Sequence, residues 1–237
     1  MKKLLLTALF LTILLNVKAQ LNDSCFYTQV DLANRWIWRG VSYSEAPLLQ
    51  PSLGYANDKL NILIWGSYPF ERRTYSEIDF TLEYQLFPKL KLGLTDFFGI
   101  NDSAGAKHDF FNVERKTTMH MLDAYLIYAP FKNIPVSFLY SLWFWGADRK
   151  AITLEQNYSS YLEVKYEKEF NLFKASAFAG MTTGKGFYAD KAALVNVGLG
   201  LTKNIPAGKS HEIPIRVEFL VNPELQNTYI NAIITLK

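Results

Sequence analysis

Between Glu77 and Leu86 the chain alternates without a break: Ile78, Phe80, Leu82, Tyr84 and Leu86 are apolar, and Glu77, Asp79, Thr81, Glu83 and Gln85 are polar. A period of two puts these sets on opposite faces of one extended strand, one face apolar and the other wet. Ten residues of this pattern suit a strand that crosses a bilayer at a tilt with one side to lipid and the other to a polar interior. The pattern recurs along the chain, and it predicts twelve strands near 25–41, 48–56, 60–68, 75–87, 89–99, 118–129, 136–147, 156–166, 172–182, 192–202, 213–222 and 228–237. The expected fold is an all-β, antiparallel, up-and-down transmembrane barrel of about 12 strands, with 10 or 14 as the alternatives.

The connections carry the same message. Alternate ones are short, at 57–59, 88, 130–135 and 168–171, whereas the opposite ends receive 100–117, 148–155 and 183–191, rich in Gly, Asn, Asp, Ser and Lys. Short turns on the periplasmic side and long loops outside are the habit of bacterial barrels. Residues 203–212, with Pro206, Gly208 and His211, interrupt this rhythm as an expected ten-residue periplasmic turn. The closing stretch puts Ile230, Ala232, Ile234 and Leu236 on one apolar face, as a final strand requires.

The first residues set the compartment. Lys2 and Lys3 precede an apolar run from Leu4 to Leu15, followed by Asn16-Val17-Lys18-Ala19. This is the organisation of a secretory signal peptide, too short for a spanning helix, with cleavage expected after Ala19. Residues 1–19 form the leader and 20–237 a single barrel domain, placed in the outer membrane of a Gram-negative cell. Cys25, the one cysteine, lies beyond a poor lipobox at Asp23-Ser24, and one thiol cannot close an internal disulfide.

Removing the leader takes Lys2, Lys3 and Lys18 and no acid, so 25 Lys+Arg fall to 22 against 22 Asp+Glu. The basicity belongs to the leader, and a nucleic-acid partner is excluded. The expected partners are outer-membrane lipid, the barrel assembly machinery and small solutes. Aromatic residues make up 15% of the chain, and the clusters Phe97-Phe98, Phe110-Phe111 and Trp143-Phe144-Trp145 fall where strands meet outer loops. They read as an interfacial girdle rather than a stacking platform for a ligand.

Residues 30–85 carry a recognisable constellation: Asn34-Arg35-Trp36-Ile37-Trp38-Arg39-Gly40-Val41-Ser42, then Pro47 and Gln50-Pro51-Ser52-Leu53-Gly54-Tyr55, then Trp65-Gly66-Ser67, and Glu77-Ile78-Asp79. In these residues the chain resembles the Gcw_chp, or TorF-like, family of outer-membrane proteins without an assigned activity. The resemblance implies fold and location and brings no catalytic residues with it.

Alternation through the first predicted strand puts Asp31, Arg35 and Arg39 on one face and Val30, Leu32, Trp36 and Trp38 on the other. A midplane Arg in hydrocarbon costs roughly 2–4 kcal/mol, so the charged face belongs in the lumen, where Arg35 or Arg39 can meet Glu77, Asp79 or Glu83. These six residues are the expected lumen charge network. Metal and cofactor sites are not expected, because His108, His120 and His211 lack ligand spacing. Asp102-Ser103 and His108-Asp109 hold the inventory of acid, hydroxyl and imidazole but read as a solvated loop, and Gly184-Lys185-Gly186 reads as a turn. The expected function is a narrow diffusion channel for small solutes. The alternatives are a non-conducting structural or ligand-binding barrel with a plugged lumen and, behind it, a lipid-modifying barrel enzyme; no catalytic motif is present.

Overall fold

The computed structural model describes residues 25–71, 74–101, 108–208 and 211–237. The leader with its cleavage point, and Asp102 and Ser103, lie outside the described residues. Within them the chain is all-β: β1 (Phe26–Ala33), β2 (Trp36–Trp38), β3 (Val41–Ser44), β4 (Leu48–Ala56), β5 (Leu60–Pro69), β6 (Tyr75–Phe87), β7 (Leu90–Asn101), β8 (His120–Tyr128), β9 (Val136–Gly146), β10 (Ser160–Glu169), β11 (Lys174–Thr182), β12 (Ala193–Pro206), β13 (Glu212–Asn222) and β14 (Asn227–Leu236). Twelve of these, β1 and β4 to β14, close into one antiparallel barrel in chain order. β14 seals it against β1 in the register Val30 to Leu236 and Ala33 to Ile233. No described helix is long and apolar enough to cross a membrane.

Alternation sorts the side chains as the pleat demands. Leu53, Ile64, Phe80, Leu82, Leu94, Leu126, Tyr140, Leu199 and Phe219 are exposed on the outer wall. Neighbouring members pair across the ladders, Leu53 with Ile64 and Ile64 with Phe80, and the band continues as Leu82 with Leu94 and Leu199 with Phe219. An exposed apolar belt of this extent on a monomer calls for an apolar surround.

Two expectations are corrected here. The predicted strand at 25–41 is β1 followed by a separate hairpin. The ladder stops at Ala33, Asn34 donates its N–H to Ala232 O at 3.1 Å and accepts from Ala232 N at 2.7 Å, and the chain then leaves the wall. β2 and β3 pair only with each other, through Trp36–Ser44, Ile37–Ser42 and Trp38–Val41. The turn between them is Arg39-Gly40, with φ of 50° and 79°, and positive φ at both central residues marks the tight turn whose twist matches paired strands. Trp36 and Trp38 therefore do not face lipid. The second correction concerns residues 203–212: β12 and β13 stay paired out to Pro206 and Glu212, leaving a turn of only 207–211, closed by Ala207 N–H to His211 O at 2.8 Å. That end carries both termini and uniformly short turns, and the opposite end carries the long connections.

Candidate functional site: a hairpin inside the barrel

The hairpin fills the lumen from the loop-bearing end. Trp36 stacks on Tyr43 within the hairpin and on Tyr75 of β6, and meets Trp65 of β5. Trp38 lies parallel to Trp143 of β9, with centroids 5.9 Å apart, and edge-on to Phe97 of β7. The tip reaches β13, two strands round the wall from β1, where the Gly40 carbonyl accepts from Asn222 Nδ2 at 3.0 Å. A Cβ built on Gly40 would stand 1.9 Å from Val195 O of β12, so only glycine fits both the conformation and the space. Ile37, Trp38 and Arg39 thus form a septum across the barrel.

Arg39 is the centre of this arrangement. Its Nη1 donates to Ser141 Oγ and to Tyr188 Oη, each at 2.8 Å, and its Nη2 reaches Asp123 Oδ2 at 3.3 Å. Asp123 also accepts from Ser141 Oγ at 2.7 and 2.8 Å, and its side chain is 1% exposed. The guanidinium plane lies 4.2 Å from the Trp38 ring and 4.6 Å from the Tyr161 ring, an aromatic sandwich for a planar cation.

The loops lock onto the same cluster. Tyr188, in 183–192, is buried with Trp143, Tyr161 and Val195. Asp148, in 147–159, accepts from Ser159 N and Oγ at 2.8 Å each, and Ser159 Oγ accepts from Phe187 N–H at 2.7 Å. Gly184-Lys185-Gly186 is part of this inward-folded loop, with Lys185 paired to Asp190 at 3.1 Å. Trp143, expected in an interfacial girdle, is 1% exposed inside the barrel, and Phe97 packs on Trp38. These aromatics cap the lumen.

Two cavities abut the septum on the short-turn side. The larger, about 470 Å³, is lined by all six residues of the expected network, Asp31, Arg35, Arg39, Glu77, Asp79 and Glu83. The pairing within it differs from the expectation. Arg35 binds Glu45 of the hairpin at 3.0 Å, Arg39 binds Asp123, and Glu83 binds Lys91 at 3.2 Å and accepts from Tyr125 Oη at 3.0 Å. Asp31 accepts from Thr235 Oγ1 at 2.7 Å, while Glu77 takes the Tyr75 hydroxyl and lies with Asp79 on one buried stretch of β6. Asp123 and Glu218 add two acids and Arg216 one base, so six carboxylates face three guanidinium groups. The second cavity, about 390 Å³, has the opposite bias, with Lys165, Lys174, Arg39 and Arg216 against Glu163, Glu167 and Glu218.

On the outer wall, His120 Nδ1 lies 2.8 Å from Asp96 Oδ2, and His120 Nε2 lies 2.8 Å from the Phe110 carbonyl. Both ring nitrogens are engaged, and Phe98 and Phe110 pack against the ring. The contact pins 108–119 to the barrel, helped by Arg149 donating to Arg115 O and Thr118 O. His108 contacts Asn101 O at 3.1 Å. Among the described residues no three His, Cys, Asp or Glu side chains are grouped to hold a metal. Asp123, Ser141 and Tyr188 were missed in the sequence, because they lie 84, 102 and 149 positions from Arg39 and nothing local ties them to it.

No family model and no curated protein matches the chain. Among solved structures it is similar to a chain from work on the in-meso crystallization of membrane proteins, at 9% identity and a TM-score of 0.45, over 89% of this chain and 82% of that one. A likeness at that distance bears on no functional question.

Proposed function

We propose that this protein is an outer-membrane barrel of a Gram-negative envelope, of the Gcw_chp type, secreted with cleavage after Ala19, whose resting lumen is shut at its outer end by its own hairpin. The observation that carries the proposal is the Arg39 clamp, which ties the hairpin tip to Asp123 and Ser141 on the wall and to Tyr188 of a loop. The apolar outer belt and the long-loop, short-turn asymmetry support membrane insertion with the termini in the periplasm. Below the septum the cavities form a charged vestibule, acidic toward β6 and basic toward β10 and β11, suited to holding small polar solutes. The role is that of a binding or structural barrel with a plugged lumen, without catalytic chemistry, assembled by the barrel assembly machinery.

A narrow diffusion channel is the second reading, favoured by the thinness of the septum, Ile37 to Arg39, against which both cavities lie. Conductance in planar bilayers separates the two. The plugged reading expects a silent wild-type barrel and discrete steps from Arg39→Ala. Equal conductance from both proteins would replace it with the open channel.

A further inference from the structure

The outer wall is not uniformly studded with large side chains. On β11 the outward row is Ala175, Ala177 and Ala179, whose neighbours on β10 are Lys168, Tyr166 and Val164 and on β12 are Leu201, Leu199 and Val197. Three alanines between bulky rows leave a trough, an apolar groove of about 490 Å³ floored by Ala177 and Ala179 and walled by Tyr166, Val164, Leu199 and Phe219. From Ala175 to Ala179 the row runs roughly 14 Å along the strand. Half of a hydrocarbon core is about 15 Å, so the alanine row, tilted as barrel strands are and with Ala177 and Ala179 flooring the groove, crosses most of one leaflet.

The end of the trough nearest the termini is marked by charge. Lys168 stands opposite Ala175, and Lys203 follows Leu201 by two residues on the same face of β12. Both are exposed, and neither has a carboxylate partner among the described residues. The Lys168 ammonium lies 5.3 Å from the ring of Phe170, which stacks on Phe173 at 5.0 Å in the adjoining turn. Paired rings beside outward lysines are what the membrane–water boundary collects. An apolar groove along an alanine row that crosses most of one leaflet, with two ammonium groups without carboxylate partners beyond its end, matches an acyl chain joined to a phosphate.

Resting on the reading that the barrel spans a bilayer, we propose that the β10–β12 wall holds one glycerophospholipid of the leaflet nearer the termini. An acyl chain lies over Ala177 and Ala179, and the phosphate sits between Lys168 and Lys203. The site distinguishes this arc from the rest of the belt, where Leu53, Ile64 and Phe80 project into the same layer.

The test is native mass spectrometry of the refolded barrel in micelles doped with dioleoyl phosphatidylglycerol. The expected result is one phospholipid retained at energies that strip the detergent, its loss in Ala177→Phe, and a retention on the order of tenfold lower in Lys168→Ala/Lys203→Ala. Leu53→Phe, on the opposite wall, retains the lipid as wild type does. Heat-modifiability on a denaturing gel reports that each variant is folded. Undiminished retention in a folded Ala177→Phe overturns the trough, and undiminished retention in the lysine variant overturns the phosphate assignment. A wild-type barrel that stays soluble without detergent sinks the membrane reading itself, a separate outcome.

Discussion

The Arg39 guanidinium and the Asp123 carboxylate form an ion pair, 3.3 Å apart, between a residue at the tip of an internal hairpin and one in the wall of β8. Their side chains are 10% and 1% exposed, so each is the other's main compensation for lost water. Removing one partner leaves a buried charge without its counterion, which typically costs about 3 kcal/mol or more. Arg39→Ala and Asp123→Ala should each lower urea stability by about that amount, read from tryptophan fluorescence, and the double variant should lose less than the sum. Additive losses would show that the pair does not hold the plug.

Gly40→Ala should loosen the plug without altering the barrel wall. The backbone there has φ of +79°, which costs an L residue about 1–2 kcal/mol, and the new methyl would meet Val195 O. The expected outcome is proteolytic cleavage between Trp38 and Ser44 in a protein that still shifts on unboiled gels. Wild-type resistance would mean that the tip is not seated against β12.

The two faces of β6 should answer differently to the same charge. Leu82 is outward and exposed, whereas Thr81 is inward, bonded to Thr95 at 2.9 Å, with Asp79 and Glu83 beside it on the same face. Leu82→Arg should cost roughly 2–4 kcal/mol in lipid vesicles. Thr81→Arg should cost about 1 kcal/mol or less, the worth of the lost hydrogen bond. Equal penalties in a vesicle-based folding titration would contradict the assignment of faces.

Gly93 is the floor on which Tyr125 lies: an added Cβ would stand 2.1 Å from the ring. The seated ring carries its hydroxyl to Glu83 Oε1 at 3.0 Å. Gly93→Ala should cost about 1–3 kcal/mol by displacing the ring. Gly93→Ala combined with Tyr125→Leu should recover part of that loss, measured as a urea midpoint.

In 147–159 the Lys150 ammonium binds the Glu155 carboxylate at 2.9 Å, and this hydrogen bond and charge, with help from Thr153, hold the Glu155 carboxyl below the ordinary carboxylate range. A depressed acid stabilises the folded loop at pH above its ordinary value and loses that contribution as pH falls through the lowered one. Lys150→Ala should move the Glu155 titration upward, seen by carboxyl NMR, and make the loop insensitive to acid in that window.

Much of the barrel was legible because each wall strand exposes one face to an apolar surround and the other to a wet interior, so alternation survives in the sequence. The stretch 25–41 misled for the same reason. The hairpin also has two faces, and its alternation runs on from β1. Length carried the missing signal: seventeen residues exceed the 9–11 that a tilted spanning strand needs. Arg39-Gly40 supplied the other, as a two-residue turn with glycine at its second position. The lumen placement of Asp31, Glu77, Asp79 and Glu83 follows from parity alone, whereas the partners of Arg39 depend on barrel closure and tertiary packing. The 203–212 turn was overestimated because Pro206 and Gly208 look like breaks, yet β12 runs past the end of its pairing with β11 at Thr202, and there Pro206 pairs with Glu212 on one side alone, where its missing N–H is tolerated.

The hydrogen bond from Asn222 to the Gly40 carbonyl joins positions 182 apart in sequence. The hairpin is among the first parts of the wall-forming chain to be made, and its landing site on β12 and β13 is among the last. The tip cannot take up this contact until β13 is in place, and a separation this wide carries a large loop-closure entropy. Seating the tip against Asn222 is therefore a report that the wall has reached β13, and a chain truncated before β13 would keep the Arg39 partners Asp123, Ser141 and Tyr188 but leave the Gly40 carbonyl without its landing site.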